Sequence, residues 1–141
     1  MIQFSTIVHN EGLHNQSGKI GIKIYSPAGN EVFSTSQDVI LSEGTPVATS
    51  FSLKKPELWS VDTPVLYTAE VSLSSDGKEY DKISVPFGIR TLSFSAEKGF
   101  LLNGKSMKLK GGGVHHDNGL LGAAAIDRAE ERKVELMKAN G

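Results

Sequence analysis

His115, His116 and Asp117 follow the run Lys110-Gly111-Gly112-Gly113-Val114, and they are the residues of this chain best suited to chemistry. Two imidazoles and a carboxylate can ligate a metal. Adjacent side chains on an extended segment point to opposite sides. At most His115 and Asp117 can therefore converge, which leaves a metal site at least one ligand short. No metal and no cofactor is expected. The plainer alternative is a solvated loop whose histidines have no role.

Other motifs lead to structure rather than chemistry. Gly99-Phe100-Leu101-Leu102-Asn103-Gly104-Lys105-Ser106 has the letters of a phosphate-binding P-loop. Such a loop needs small residues inside it and a helix N-terminus after it, so that backbone N–H groups can cradle phosphate. Here the interior is Phe-Leu-Leu, and Met107-Lys108-Leu109 continues as a strand. Asn-Gly between two apolar runs predicts a β-hairpin. Gly111-Gly112-Gly113 lacks the spacing and the acidic partner of a dinucleotide fingerprint and is expected where backbone passes close to bulk or turns with positive φ. Trp59 could stack on a sugar, but with one Trp and three Tyr no aromatic platform assembles. It is expected to pack in the core or at a junction. His9, His14, Glu43, Glu57 and Glu70 show no catalytic pairing.

The elements that must position the candidate residues are mostly strands. Apolar residues alternate with polar ones at Ile2, Phe4 and Val8, at Ile20, Ile22 and Ile24, and at Val47, Phe51 and Leu53. The same period recurs at Val65, Tyr67, Ala69, Val71 and Leu73, and again at Ile83, Val85, Phe87 and Ile89. A period of two marks antiparallel strands with one buried face. Turn residues separate them at Ser26-Pro27-Ala28-Gly29-Asn30, Ser42-Glu43-Gly44-Thr45-Pro46 and Ser75-Asp76-Gly77. Roughly seven such strands predict an all-β, immunoglobulin-like β-sandwich, with Tyr67 placed for a tyrosine corner. After Phe94 the pattern changes to a hairpin, a glycine-rich loop and an amphipathic helix. Asp127 with Glu130 three residues on has the form of an acidic capping box, and Asn140-Gly141 suits a helix end.

Composition excludes several function classes. The 141 residues carry a net charge of -1, which gives no footprint for nucleic acid or an anionic membrane. No apolar run approaches the roughly 20 residues of a spanning helix, and Met1 to Ser5 lacks the character of a secretory signal. The absence of cysteine rules out disulfides and thiolate zinc sites, which leaves the compartment unknown.

The islands Pro56-Glu57-Leu58-Trp59, Val65-Leu66-Tyr67, Phe87-Gly88-Ile89-Arg90, Gly99-Phe100-Leu101-Leu102-Asn103-Gly104 and Lys110-Gly111-Gly112-Gly113-Val114-His115-His116-Asp117 carry a family resemblance. So does the end, Met137-Lys138-Ala139-Asn140-Gly141. Together they resemble glycoside hydrolase family 2: the β-galactosidases, β-glucuronidases and β-mannosidases. The resemblance implies two parts, an immunoglobulin-like middle domain over residues 1–94 and the opening of a catalytic (β/α)₈ barrel over residues 95–141. A whole barrel takes roughly 250 residues.

What the resemblance implies about function follows from that division. His115 and Asp117 match positions that close the first barrel strand and line the sugar pocket, and His116 falls where β-glucuronidases and some β-galactosidases carry Glu. Trp59 matches a structural residue of the sandwich. Family members use two Glu residues about 5 Å apart and retain configuration; both belong to later barrel strands. This chain alone is therefore expected to be a non-catalytic fragment of a β-glycosidase, a β-galactosidase in first place and a β-glucuronidase or β-mannosidase otherwise. Its ligand would be a β-linked glycoside in the whole enzyme, with no nucleic acid or membrane partner. Without barrel partners, residues 99–141 are expected to self-associate or stay disordered beyond Gly111, since a lone helix of about 12 residues is marginal. A free-standing sandwich for carbohydrate binding or adhesion would explain residues 1–94 equally well, but not the loop and helix.

Overall fold

The computed structural model describes residues 2–12, 14–42 and 44–141, with the backbone only at Thr45. Met1 and Glu43, both considered above, lie outside them. The chain divides into two compact units, Met1–Met107 and Lys108–Gly141, taken here in turn.

The first unit holds nine strands among the described residues: β1 (Ile2–Val8), β2 (Gln16–Tyr25), β3 (Glu31–Leu41), β4 (Thr45–Phe51), β5 (Tyr67–Ser75), β6 (Lys78–Phe87), β7 (Leu92–Ser95), β8 (Gly99–Leu102) and β9 (Lys105–Ser106). They form an antiparallel pair β1-β4, a four-stranded sheet in the order β3-β2-β5-β6, and a three-stranded sheet β7-β8-β9. The pair and the four-stranded sheet make the sandwich. Register brings Ile24 opposite Phe33 and Ala69, and Ile22 opposite Thr35 and Val71. Ile20, Ile22, Ile24, Val47, Phe51, Tyr67, Ala69 and Val71 form one core, with Phe33 packed against it. The Phe33 and Phe51 rings stack at 4.5 Å between β3 and β4. Each fully buried aliphatic contributes about 1.5–3 kcal/mol relative to exposure.

The alternation predicted for β1, β2, β4 and β5 is present, and so is the face it covers, whereas β6 has the alternating letters but is exposed from Lys78 to Pro86. Outer residues such as Ile7 remain in solvent. One strand was not singled out in the sequence. In β3 the row Phe33, Thr35, Gln37, Val39 and Leu41 shares one face, on which Gln37 is exposed. Two polar residues in the middle of that row hide its period. Val65 and Leu66 lie before β5 rather than in it. Coverage of the core is uneven. Val71 and Ala69 are 6% and 1% exposed, whereas their partners on β6, Ile83 and Val85, are 48% and 43% exposed. A two-stranded sheet does not reach across a four-stranded one.

Two-residue hairpins join β5 to β6 through Asp76-Gly77 and β8 to β9 through Asn103-Gly104. All four residues have positive φ, at 50°, 75°, 51° and 76°. That is the type I′ turn, whose twist matches the flanking strands. The Gly99–Ser106 segment is thus strand, turn and strand, with Met107 N–H donating to Phe100 O at 3.0 Å. No helix follows it, so it is not a phosphate loop. The predicted continuation of this strand through Leu109 is absent, since β9 ends at Ser106.

The second unit contains a short 3₁₀ turn at Gly119–Leu121 and one helix, α1 (Asp127–Ala139). Asn140 ends the helix, its N–H donating to Leu136 O and Met137 O. The start differs from the expectation. Ile126 occupies the N-cap, Asp127 is already helical, and no side chain caps the backbone. The acidic residues of the first turn still face the positive end of the helix dipole. Among the described residues the architecture is all-β, an immunoglobulin-like sandwich followed by a hairpin, a loop and a single helix, with no closed barrel.

Candidate functional site

Trp59 is a structural residue of the first unit. Its N–H donates to Ile89 O at 2.8 Å, and its carbonyl accepts from Asn103 Nδ2 at 3.0 Å. The Arg90 guanidinium lies 5.0 Å from the centre of the indole, within cation–π range. On the strand side, a Cβ added at Gly88 would sit 3.0 Å from Trp59 Cβ, Cγ and Cδ1, so only glycine lets the backbone run this close. Asn103 also takes the Thr91 N–H on Oδ1 at 3.0 Å and donates its own N–H to Thr91 O at 2.9 Å. The turn residue of the β8–β9 hairpin thereby ties that sheet to the Trp59 segment. The Gly88 backbone and the Arg90 guanidinium both lie against Trp59.

The candidate chemistry sits in the second unit. His115, His116 and Asp117 are exposed on a segment without regular structure. Asp117 Oδ1 accepts the Gly119 N–H at 3.0 Å, a local turn that fixes the carboxyl and leaves its other oxygen without a bond among the described residues. Gly119 itself has φ 62°. Asn118 N–H donates to Gly122 O at 2.9 Å, and Gly122 N–H returns to Gly119 O at 2.9 Å. The Asn118 amide reaches further, donating to Ala124 O at 3.3 Å and to Glu130 Oε1 at 2.7 Å. Lys133 Nζ lies 3.2 Å from the Glu130 carboxylate and donates to His115 O at 3.4 Å.

Glu130 therefore has a different partner from the one its spacing suggests. In place of reaching back to the helix start, its carboxylate takes the Asn118 amide, which together with Lys133 holds its pKa below the usual 4.5. Among the described residues no three His, Asp or Glu side chains gather as a metal-ligand set. An exposed carboxylate can accept hydrogen bonds from hydroxyl groups, and an exposed imidazole can donate them.

Comparison with known proteins adds the family. Residues 2–90 match the family described as Glycosyl hydrolases family 2. The chain belongs to glycosyl hydrolase family 2. It is similar to the β-galactosidase BoGH2A of Bacteroides ovatus, 35% identical over 143 residues that cover 100% of this chain and 17% of that one. A β-glucuronidase of Bacteroides fragilis is 35% identical over 109 residues, covering 75% of this chain and 16% of its own. A crystal structure of a family 2 member from Bacteroides cellulosilyticus superposes with a TM-score of 0.88 at 45% identity, covering 99% of this chain and 18% of that one. The chain thus spans about a sixth of the length of the curated relatives it matches.

The resemblance drawn from the sequence islands is the family the chain belongs to. Sequence patterns located Asp117 and its loop but did not single out Asn118 and Lys133. Asn118 was legible only as a polar loop residue. Lys133 differs from an ordinary helix lysine by its burial, its side chain being 19% exposed, which no local pattern announces.

Proposed function

We propose that this chain is the sandwich, loop and first-helix segment of a retaining β-glycosidase, and that the substrate of the whole enzyme is a β-linked galactoside. The observation that carries this reading is the β-galactosidase match over the full chain, the loop from Lys110 to Ala125 included. In such an enzyme one carboxylic acid protonates the leaving oxygen while a second carboxylate about 5–5.5 Å away attacks the sugar. Those two groups belong to other parts of the polypeptide. Here Asp117 accepts from a sugar hydroxyl and His115 donates to one. Both fix the ring for attack, an effect that raises rate through orientation.

A β-glucuronidase is the second reading, favoured by the 35% identity to the Bacteroides fragilis enzyme. The complete enzyme should be assayed on nitrophenyl β-D-galactoside, β-D-glucuronide and β-D-mannoside. The galactoside should give the highest kcat/KM. Preference for the glucuronide would replace the substrate assignment, and inactivity on all three would overturn the glycosidase reading.

A further inference from the structure

The segment that carries His115 and Asp117 lies outside the strands of this structure. Between Met107 and the helix the described backbone forms one 3₁₀ turn and otherwise no regular element. Its side-chain anchors come instead from one face of α1. Glu130 takes the Asn118 amide at 2.7 Å, one residue after Asp117. Lys133, one turn further along, bridges the Glu130 carboxylate and the His115 carbonyl, two residues before Asp117. The candidate carboxylate is therefore pinned on both sides by a single ion pair.

This pair is unlike the other helix pairs. Arg128 joins Glu131 and Glu135 at 3.2 and 2.8 Å with all three side chains about 60% exposed or more, and those bonds touch no loop. Lys133 lies down against the loop at 19% exposure. Lysines are rarely so covered unless the ammonium has partners, and this one has a carboxylate and a carbonyl.

We propose that Glu130 and Lys133 are positioning residues of the sugar site, a latch through which helix α1 fixes Asp117 and His115 for the substrate. The proposal rests on the glycosidase reading and adds to it the two residues that orient its loop. Neither touches the sugar. Their effect is to keep the loop from drifting, and displacements of about 1 Å in a positioned group can cost up to about a hundredfold in rate.

The test uses the complete enzyme and four variants measured on nitrophenyl β-D-galactoside. Glu130→Ala removes the acceptor for Asn118 and the partner of Lys133. Lys133→Met keeps the stem and deletes the ammonium. Each should lower kcat about tenfold while changing KM less than about threefold, because orientation and not uniform binding is lost. Glu130→Gln keeps an oxygen for Asn118 and should recover most of the activity lost in Glu130→Ala. Arg128→Ala, on the loop-free pair, should match the parent enzyme. Full activity in Glu130→Ala and Lys133→Met overturns the latch, as does an equal loss in Arg128→Ala. Asp117→Ala, run alongside, separates the two claims: an impaired Asp117→Ala with intact latch variants defeats only the latch, whereas unimpaired Asp117→Ala defeats the site itself.

Discussion

The Tyr67 hydroxyl accepts a 2.9 Å hydrogen bond from the Glu57 backbone N–H, ten residues upstream. The tyrosine is buried at the start of β5, its ring 5.8 Å from that of Phe87. This contact fixes the crossing from β4 to β5, a stretch that contains Trp59 and no strand. It also gives the tyrosine-corner expectation its partner, the Glu57 backbone N–H. Tyr67→Phe keeps the ring and deletes the acceptor. Urea denaturation of the polypeptide should show a loss of about 1 kcal/mol, and an unchanged midpoint would remove the contact from the stability account.

Gly88→Ala is expected to do more damage than an exposed glycine substitution. The new methyl meets three Trp59 atoms at 3.0 Å, so the tryptophan or the strand must give by a few tenths of an ångström. Overpacking of this kind costs about 1–3 kcal/mol. Trp59 is the sole tryptophan, so its emission reports the displacement directly. An unchanged spectrum with unchanged stability would show that the backbone yields instead.

The latch has a predicted pH dependence. Glu130 has a folded pKa below 4.5. A depressed carboxylate contributes stability that is present above the unfolded value and lost as pH falls through the folded one. The protection factor of the Asn118 amide, its exchange rate referred to the intrinsic rate at each pH, should therefore fall on acidification below about pH 4.5. In Glu130→Gln this acid-dependent step should vanish. Its persistence in that variant would assign the titration to another group.

Most of the sandwich was legible because one face of each strand is apolar and a period of two survives in the letters. Ile20, Ile22 and Ile24 needed no structure to be placed in the core, and Asn103-Gly104 and Asp76-Gly77 announced their turns through the positive φ that only such residues accept readily. What escaped depended on partners distant in sequence. β3 was hidden because Thr35 and Gln37 interrupt its apolar row opposite Ile22 and Ile20, and Gln37 stays in solvent. Glu130 has the spacing of a cap, yet its carboxylate is claimed by Asn118 twelve residues earlier. The loop's candidate residues were visible by type, and their anchors were not.

The 141-residue polypeptide by itself should hydrolyse no β-glycoside, since a retaining mechanism needs two paired carboxylates and these are assigned to other parts of the enzyme. It should also self-associate through residues 99–141. Val134, Leu136 and Met137 are exposed on α1, as is Leu109 ahead of the loop, and such a patch tends to be covered. Sedimentation should give a dimer or larger species that Val134→Glu with Met137→Glu returns to monomer. A strictly monomeric parent polypeptide would contradict this.

The measurement closest to the central claim is kcat/KM for Asp117→Ala in the complete enzyme. A carboxylate that bonds a sugar hydroxyl contributes roughly 1.5–3 kcal/mol, so the ratio should fall about tenfold or more with the melting temperature unchanged. Catalytic efficiency equal to that of the unaltered enzyme would place Asp117 and His115 in a solvated loop outside the sugar site.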